Sequence, residues 1–123
     1  MSTIYKNITG STVVSLAGKY DPDYPLFEGR ITLLNLCNTH TTDSVSIDLY
    51  YYKKTVVSSI PNNYDDPVVT NITYYLLKNV IIPIGTTLKL NEEDIMTLNS
   101  KEYALYLKLS ASDSTVDVII NIK

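Results

Sequence analysis

A chain of 123 residues with 45% hydrophobic and 19% charged residues has the size of one domain, and it is too apolar for disorder. The net charge of -3 offers no electrostatic footprint for nucleic acid or an anionic membrane surface. One histidine (His40), one cysteine (Cys37) and no tryptophan leave few groups for acid–base, thiolate or zinc chemistry, so composition points away from an enzyme and from a bound cofactor.

Thr 14, Ile 13 and Val 10 make 37 β-branched residues, whose stiff side chains favour strands over helices. Tyrosine supplies 11 of the 12 aromatic residues, Phe27 being the exception, and each tyrosine packs by its ring while hydrogen-bonding by its hydroxyl. No apolar run approaches the ~18 residues that cross a membrane, and the start Met-Ser-Thr-Ile-Tyr-Lys lacks the pattern of a secretory signal.

In chain order, Ile4 to Thr9 and Thr12 to Ala17 read as short strands. In Arg30 to Asn38, Ile31, Leu33, Leu34 and Leu36 cannot share one face, which calls for burial on both sides or a bulge near Leu33-Leu34. From Val45 onward, Val45, Ile47, Leu49 and Tyr51 alternate with Ser46, Asp48, Tyr50 and Tyr52, as in a half-buried strand. Thr73 to Ile82 is a tyrosine-rich strand ended by Pro83 and turned at Gly85, after which Thr86 to Leu90 follows. Asn91-Glu92-Glu93-Asp94 has the cap and acids of one helical turn. Last come Tyr103, Leu105, Leu107 and Leu109 inside, with Ala104, Tyr106, Lys108 and Ser110 outside, and then Val116, Val118, Ile120 and Ile122 inside. The short polar link between these two strands predicts an antiparallel hairpin.

The expected fold is all-β: a single antiparallel β-sandwich over residues 1–123, Ig-like or jelly-roll-like, of seven or eight strands with Greek-key-like connections. Its expected core contains Ile31, Leu49, Leu77, Leu88, Leu105, Leu107, Val118 and Ile120. The stretch 55–70 is flanked by Val56-Val57 and Val68-Val69, which predicts a hairpin protruding beyond the sandwich. With the N-terminal segment 1–29, it is an expected contact element.

The acids Asp21, Asp23, Asp65, Asp66, Glu92, Glu93 and Asp94 match no calcium-loop spacing and read as solvated turns. Cys37 and His40 lack the partners of a metal or catalytic site, so a buried thiol and a turn histidine are expected. No Gly-x-Ser-x-Gly or phosphate-cradling loop occurs, and the triplets Asn7-Ile8-Thr9 and Asn71-Ile72-Thr73 carry no meaning without secretion. The outward tyrosines Tyr50, Tyr52 and Tyr106, together with Tyr64, Asp65 and Asp66 at the hairpin tip, are the candidate interface, facing another protein, a sugar or another copy of the chain. Tyr20 and Tyr24 with Asp21 and Asp23 are candidate glycan contacts, stacking on a sugar ring and accepting its hydroxyls.

From Arg30 to the C-terminus the chain resembles small β-sandwich structural proteins of tailed bacteriophages, especially marine and cyanobacterial phages. The residues carrying the resemblance are Arg30 to Thr39, Val45 to Tyr50, and the run Tyr74-Tyr75-Leu76-Leu77-Lys78-Asn79-Val80-Ile81-Ile82-Pro83-Ile84-Gly85-Thr86-Thr87-Leu88, in which the strands before and after Gly85 are expected to pair. The resemblance implies a non-enzymatic virion protein in the neck, tail, fibre or capsid surface, with other virion proteins or its own copies as partners and no catalytic residues. The alternative is a carbohydrate-binding receptor-recognition module of a phage fibre, with a host glycan as partner.

Overall fold

The structure, a computed structural model, describes residues 2–18, 31–57, 68–95 and 103–122. In chain order the elements are β1 (Ser2–Thr9), β2 (Val14–Gly18), β3 (Ile31–Asn38), β4 (Val45–Val57), β5 (Val68–Ile82), β6 (Thr87–Asn91), α1 (Glu92–Ile95), β7 (Ala104–Leu109) and β8 (Thr115–Ile122). They form two antiparallel four-stranded sheets, ordered β1-β8-β3-β6 and β2-β7-β4-β5. The pairs β1·β8, β2·β7, β3·β6 and β4·β5 are nested inside one another along the chain, like one long hairpin. Rolling that hairpin up adds the contacts β8·β3 and β7·β4. Eight strands wound in this way are a jelly roll, so of the two expected forms of sandwich the Ig-like one is set aside.

Two expected hairpins are absent. β7 and β8 lie in opposite sheets, and so do β5 and β6. The link after β7 is still tight, with Ser114 N–H donating to the Ala111 carbonyl at 3.1 Å and Gly10 N–H donating to the Ser114 carbonyl at 2.9 Å, but it carries the chain across the core. The link after β5 is a β-turn in which Thr86 N–H reaches the Pro83 carbonyl at 3.2 Å. Gly85 there has φ +68°, the left-handed conformation that such a turn asks of its third residue.

The core lies between the sheets. Ile4, Ile8, Leu16, Ile31, Leu34, Leu36, Val45, Ile47, Leu49, Leu105, Leu107, Leu109, Val116, Val118, Ile120 and Ile122 are all buried. Of the expected core, Leu77 and Leu88 are only half-buried, because β5 and β6 are the outer strands of their sheets. Ala104, expected outside, is fully buried. Its backbone is packed against Gly18, where a Cβ would fall 2.5 Å from the Tyr103 carbonyl oxygen and 3.0 Å from the Ala104 Cα.

Bulges account for the broken alternation. In β3 the extra residue is Thr32, slightly before the expected place, so Ile31 and Leu34 both face inward. In β2 the extra residue is Leu16, which is buried beside Ala17. Lys6, on the same face of β1 as buried Ile4 and Ile8, carries its ammonium to the Ser15 carbonyl at that bulge, 2.8 Å away. In β5 two irregularities follow closely: Ile47 faces Val80, Leu49 faces Leu77 and Tyr50 faces Tyr75. The expected helical turn is present, with the Asp94 carboxylate accepting the Asn91 N–H at 2.8 Å, one half of a capping box.

One end of the sandwich is tied together by Asn38, which is fully buried. Its amide Nδ2 donates to the carbonyls of Asp43 and Ile82, both at 3.0 Å, and its Oδ1 accepts His40 N–H at 2.9 Å. One side chain thereby ties the loop after β3 to the end of β5.

Candidate functional site

Outward-facing residues of the β2-β7-β4-β5 sheet fall into rows set by strand register. Tyr50 on β4 stands opposite Tyr106 on β7 and Tyr75 on β5. The next row pairs Asp48 with Lys108, and Ser46 and Ser110 follow beyond it, with Ser46 N–H donating to the Ser110 hydroxyl at 3.0 Å.

The tyrosines make one connected patch. Tyr50 lies 5.2 Å from Tyr75 at 49°, and 5.8 Å from Tyr106 edge-on at 87°. Tyr106 in turn stacks on Tyr52 at 5.1 Å and 19°, and the Tyr52 hydroxyl donates to Asn71 Oδ1 at 3.0 Å. The Lys78 ammonium sits over the Tyr75 ring, 4.3 Å from its centroid. Burial, followed by the neighbouring tyrosines and Asp48, pushes the Tyr50 phenol above its ordinary value, so its hydroxyl stays protonated and able to donate. Beside the row lies a depression of about 320 Å³ lined by Ser11, Ser46, Asp48, Asn79, Lys108 and Ser110.

The expected interface residues Tyr50, Tyr52 and Tyr106 are thus brought together. Tyr64, Asp65 and Asp66 lie outside the described residues, as do Tyr20, Asp21, Asp23 and Tyr24. Tyr75, Lys78 and the polar row Asp48–Lys108 were missed. Tyr75 joins Tyr50 only because the irregularities in β5 reset its phase, which alternation along one strand does not show. Asp48 and Lys108 were each read as outward, but only the register places them opposite each other.

A second tyrosine group, Tyr51, Tyr74 and Tyr103, belongs to the inner side of the sheet. Tyr51 and Tyr103 are 6.5 Å apart, Tyr74 and Tyr103 are 6.2 Å apart, and the Tyr51 hydroxyl donates to the Ile95 carbonyl. Burial pushes the Tyr51 phenol up to about 12.

His40, Asp43 and Asp113 converge at the end tied by Asn38, with one candidate ligand atom from each lying within 4.8 Å of the others. The histidine ring is already committed, however. Its Nδ1 accepts N–H bonds from Thr42 at 3.1 Å and Asp43 at 2.9 Å, so the neutral ring carries its proton on Nε2, which meets Asp113 at 3.1 Å. A histidine that binds metal through Nε2 needs an acceptor at Nδ1, and this one faces two donors. The group is a clasp between loops, in line with a turn histidine. Cys37 is half-buried on the outer face of its sheet, between Asp117 and Thr87, and not a fully buried thiol.

No model of a known protein family matches the chain, and no curated protein sequence matches it. What the site can do rests on its own geometry: a cluster of aromatic rings in tilted, edge-on and stacked contact, beside a row of hydroxyls and opposite charges that hydrogen-bonds.

Proposed function

We propose that this is a non-enzymatic structural protein of a virion, of the kind found in tailed phages, acting by repeated contact with other virion proteins or with its own copies. The observation that carries the reading is that the β4–β5 hairpin outruns its sheet. β7 pairs with β4 only from Ile47 to Tyr52, whereas the β4–β5 ladder continues through Lys53↔Ile72, Lys54↔Asn71, Thr55↔Thr70, Val56↔Val69 and Val57↔Val68. Among the described residues, that part of the ribbon has no third strand. A two-stranded ribbon is marginal in water, and a neighbouring chain would stabilise it. The outer strands β1, β6, β2 and β5 offer further edges to neighbours. Jelly rolls serve in viral capsids as well as in lectins and cupins, so the architecture agrees with the reading without fixing it.

The test is to replace residues 59–67 by a two-residue turn and follow incorporation into particles. The reading expects a domain that folds with unchanged circular dichroism but fails to enter particles. Normal incorporation of the shortened chain would overturn the role of the ribbon, and absence of the intact protein from purified particles, by mass spectrometry, would overturn the virion assignment itself.

A further inference from the structure

We propose that the outer face of the β2-β7-β4-β5 sheet is a saccharide-binding site, in which the Tyr50 ring, at the centre of the Tyr75–Tyr50–Tyr106 row, meets the C–H face of a neutral sugar ring while Asp48, Asn79, Lys108 and Ser110 bind its hydroxyls. This site shares no residue with the part of the β4–β5 ribbon that runs beyond β7, and it stands or falls apart from the assembly reading.

Three observations carry it. First, the aromatic row and the polar depression are contiguous: Tyr50 and Asp48 are alternate residues of β4, and Tyr106 and Lys108 are alternate residues of β7, so neighbouring rows lie about 7 Å apart. A sugar ring is itself two-sided, with an apolar C–H face and a rim of hydroxyls, and it matches such a border. Second, the depression of about 320 Å³ is at the small end of ligand sites, which run from roughly 300 to 1,000 Å³. That suits a compact ligand. Third, the charges are balanced. Asp48 and Lys108 stand directly opposite, yet among the described residues no ion pair joins them. An anion would meet the carboxylate and a cation the ammonium, whereas a polyol donates to one and accepts from the other.

The hydrogen-bonding state of the lining supports the same assignment. Asp48 Oδ1 is occupied by the Asn79 N–H at 2.8 Å, which leaves Oδ2 as an acceptor held in a fixed place. The Ser110 oxygen accepts the Ser46 N–H, which fixes the hydroxyl oxygen and leaves its proton for an acceptor on the ligand. These groups are positioned before any ligand arrives, which lowers the cost of binding.

The test uses the full chain and saturation-transfer NMR with glucose, galactose, mannose and N-acetylglucosamine as free probes, followed by an array of oligosaccharides built from them. The expected result is transfer to ring C–H protons of at least one probe. Asp48→Asn and Tyr50→Ala should each weaken binding about tenfold or more, the scale of one lost bond to a charged group. Tyr5→Ala, on the opposite sheet and 73% exposed, should leave it unchanged. If Tyr50→Ala does not fold, Asp48→Asn and Lys108→Met decide the matter. Transfer from no probe and no bound oligosaccharide would overturn the proposal, as would binding that survives the folded variants.

Discussion

Asp48 Oδ1 accepts the backbone N–H of Asn79 at 2.8 Å, across the point where β5 carries more residues than β4. Asn79 has φ 54°, the one non-glycine residue with positive φ among those described, and the carboxylate holds its amide where the ladder cannot. Only glycine and, less readily, asparagine or aspartate take this conformation without a large steric cost. Asn79→Gly should therefore stay within about 0.5 kcal/mol of the parent, and Asn79→Val should lose about 1–2 kcal/mol. Chemical denaturation of the two variants checks this, and equal loss from both would show that the bulge is not conformationally demanding.

Tyr51 gives an alkaline signature. Its phenol is raised in the folded state to about 12, against an ordinary value of 10.0, because burial disfavours the ionised form. The unfolded chain then releases this proton first, so the contribution to stability is complete below pH 10 and is lost as the pH rises toward 12. Tyr51→Phe should remove the hydrogen bond to the Ile95 carbonyl and cost about 0.5–1.5 kcal/mol at neutral pH. It should also flatten the decline in stability above pH 10 relative to the parent. Denaturant midpoints measured from pH 8 to 12 make the comparison; parallel declines would contradict it.

Leu107 and Leu77 separate the middle of the core from its margin. Leu107 is fully buried on a central strand, and Leu107→Ala should cost about 2–5 kcal/mol. Leu77 is half-buried on an outer strand, so Leu77→Ala should cost less, about 1–2 kcal/mol. Urea titration of both variants reads the difference, and a reversed order would misplace the core.

What the sequence made legible was the run of inward residues in β4, β7 and β8. Val45, Ile47 and Leu49, then Leu105, Leu107 and Leu109, then Val116, Val118, Ile120 and Ile122 are buried as their alternation required. Which sheet each strand joins was not legible, and the reason is geometric. Two strands linked by a short turn show the same alternation whether they pair side by side or face each other across a core, so β7 and β8 read as a hairpin. The same limit applied to the tyrosines: period two gave the side of Tyr50 and Tyr106, but the meeting of Tyr50 with Tyr75 depends on the register of β5. Ala104 was misplaced because its burial comes from the close approach of Gly18, which alternation does not encode.

The nested pairing implies an order of events as the chain folds. β4 and β5 are neighbours in sequence, whereas the β1·β8 ladder joins Ser2 to Ile122 and encloses everything else. Closing that outermost loop from an extended chain costs the most entropy, and each inner pair that has already formed shortens the loop left to close. The β4·β5 pair is thus the natural place for folding to begin, with β3·β6, β2·β7 and β1·β8 zipping outward at the slow rates of a topology rich in distant contacts. Substitutions within β4 and β5 should then slow refolding, while those in β1 should chiefly speed unfolding, a division that stopped-flow kinetics would display. Under the proposed assembly role, the same strand pair would answer to two demands, the nucleus of a single chain and the grip between chains.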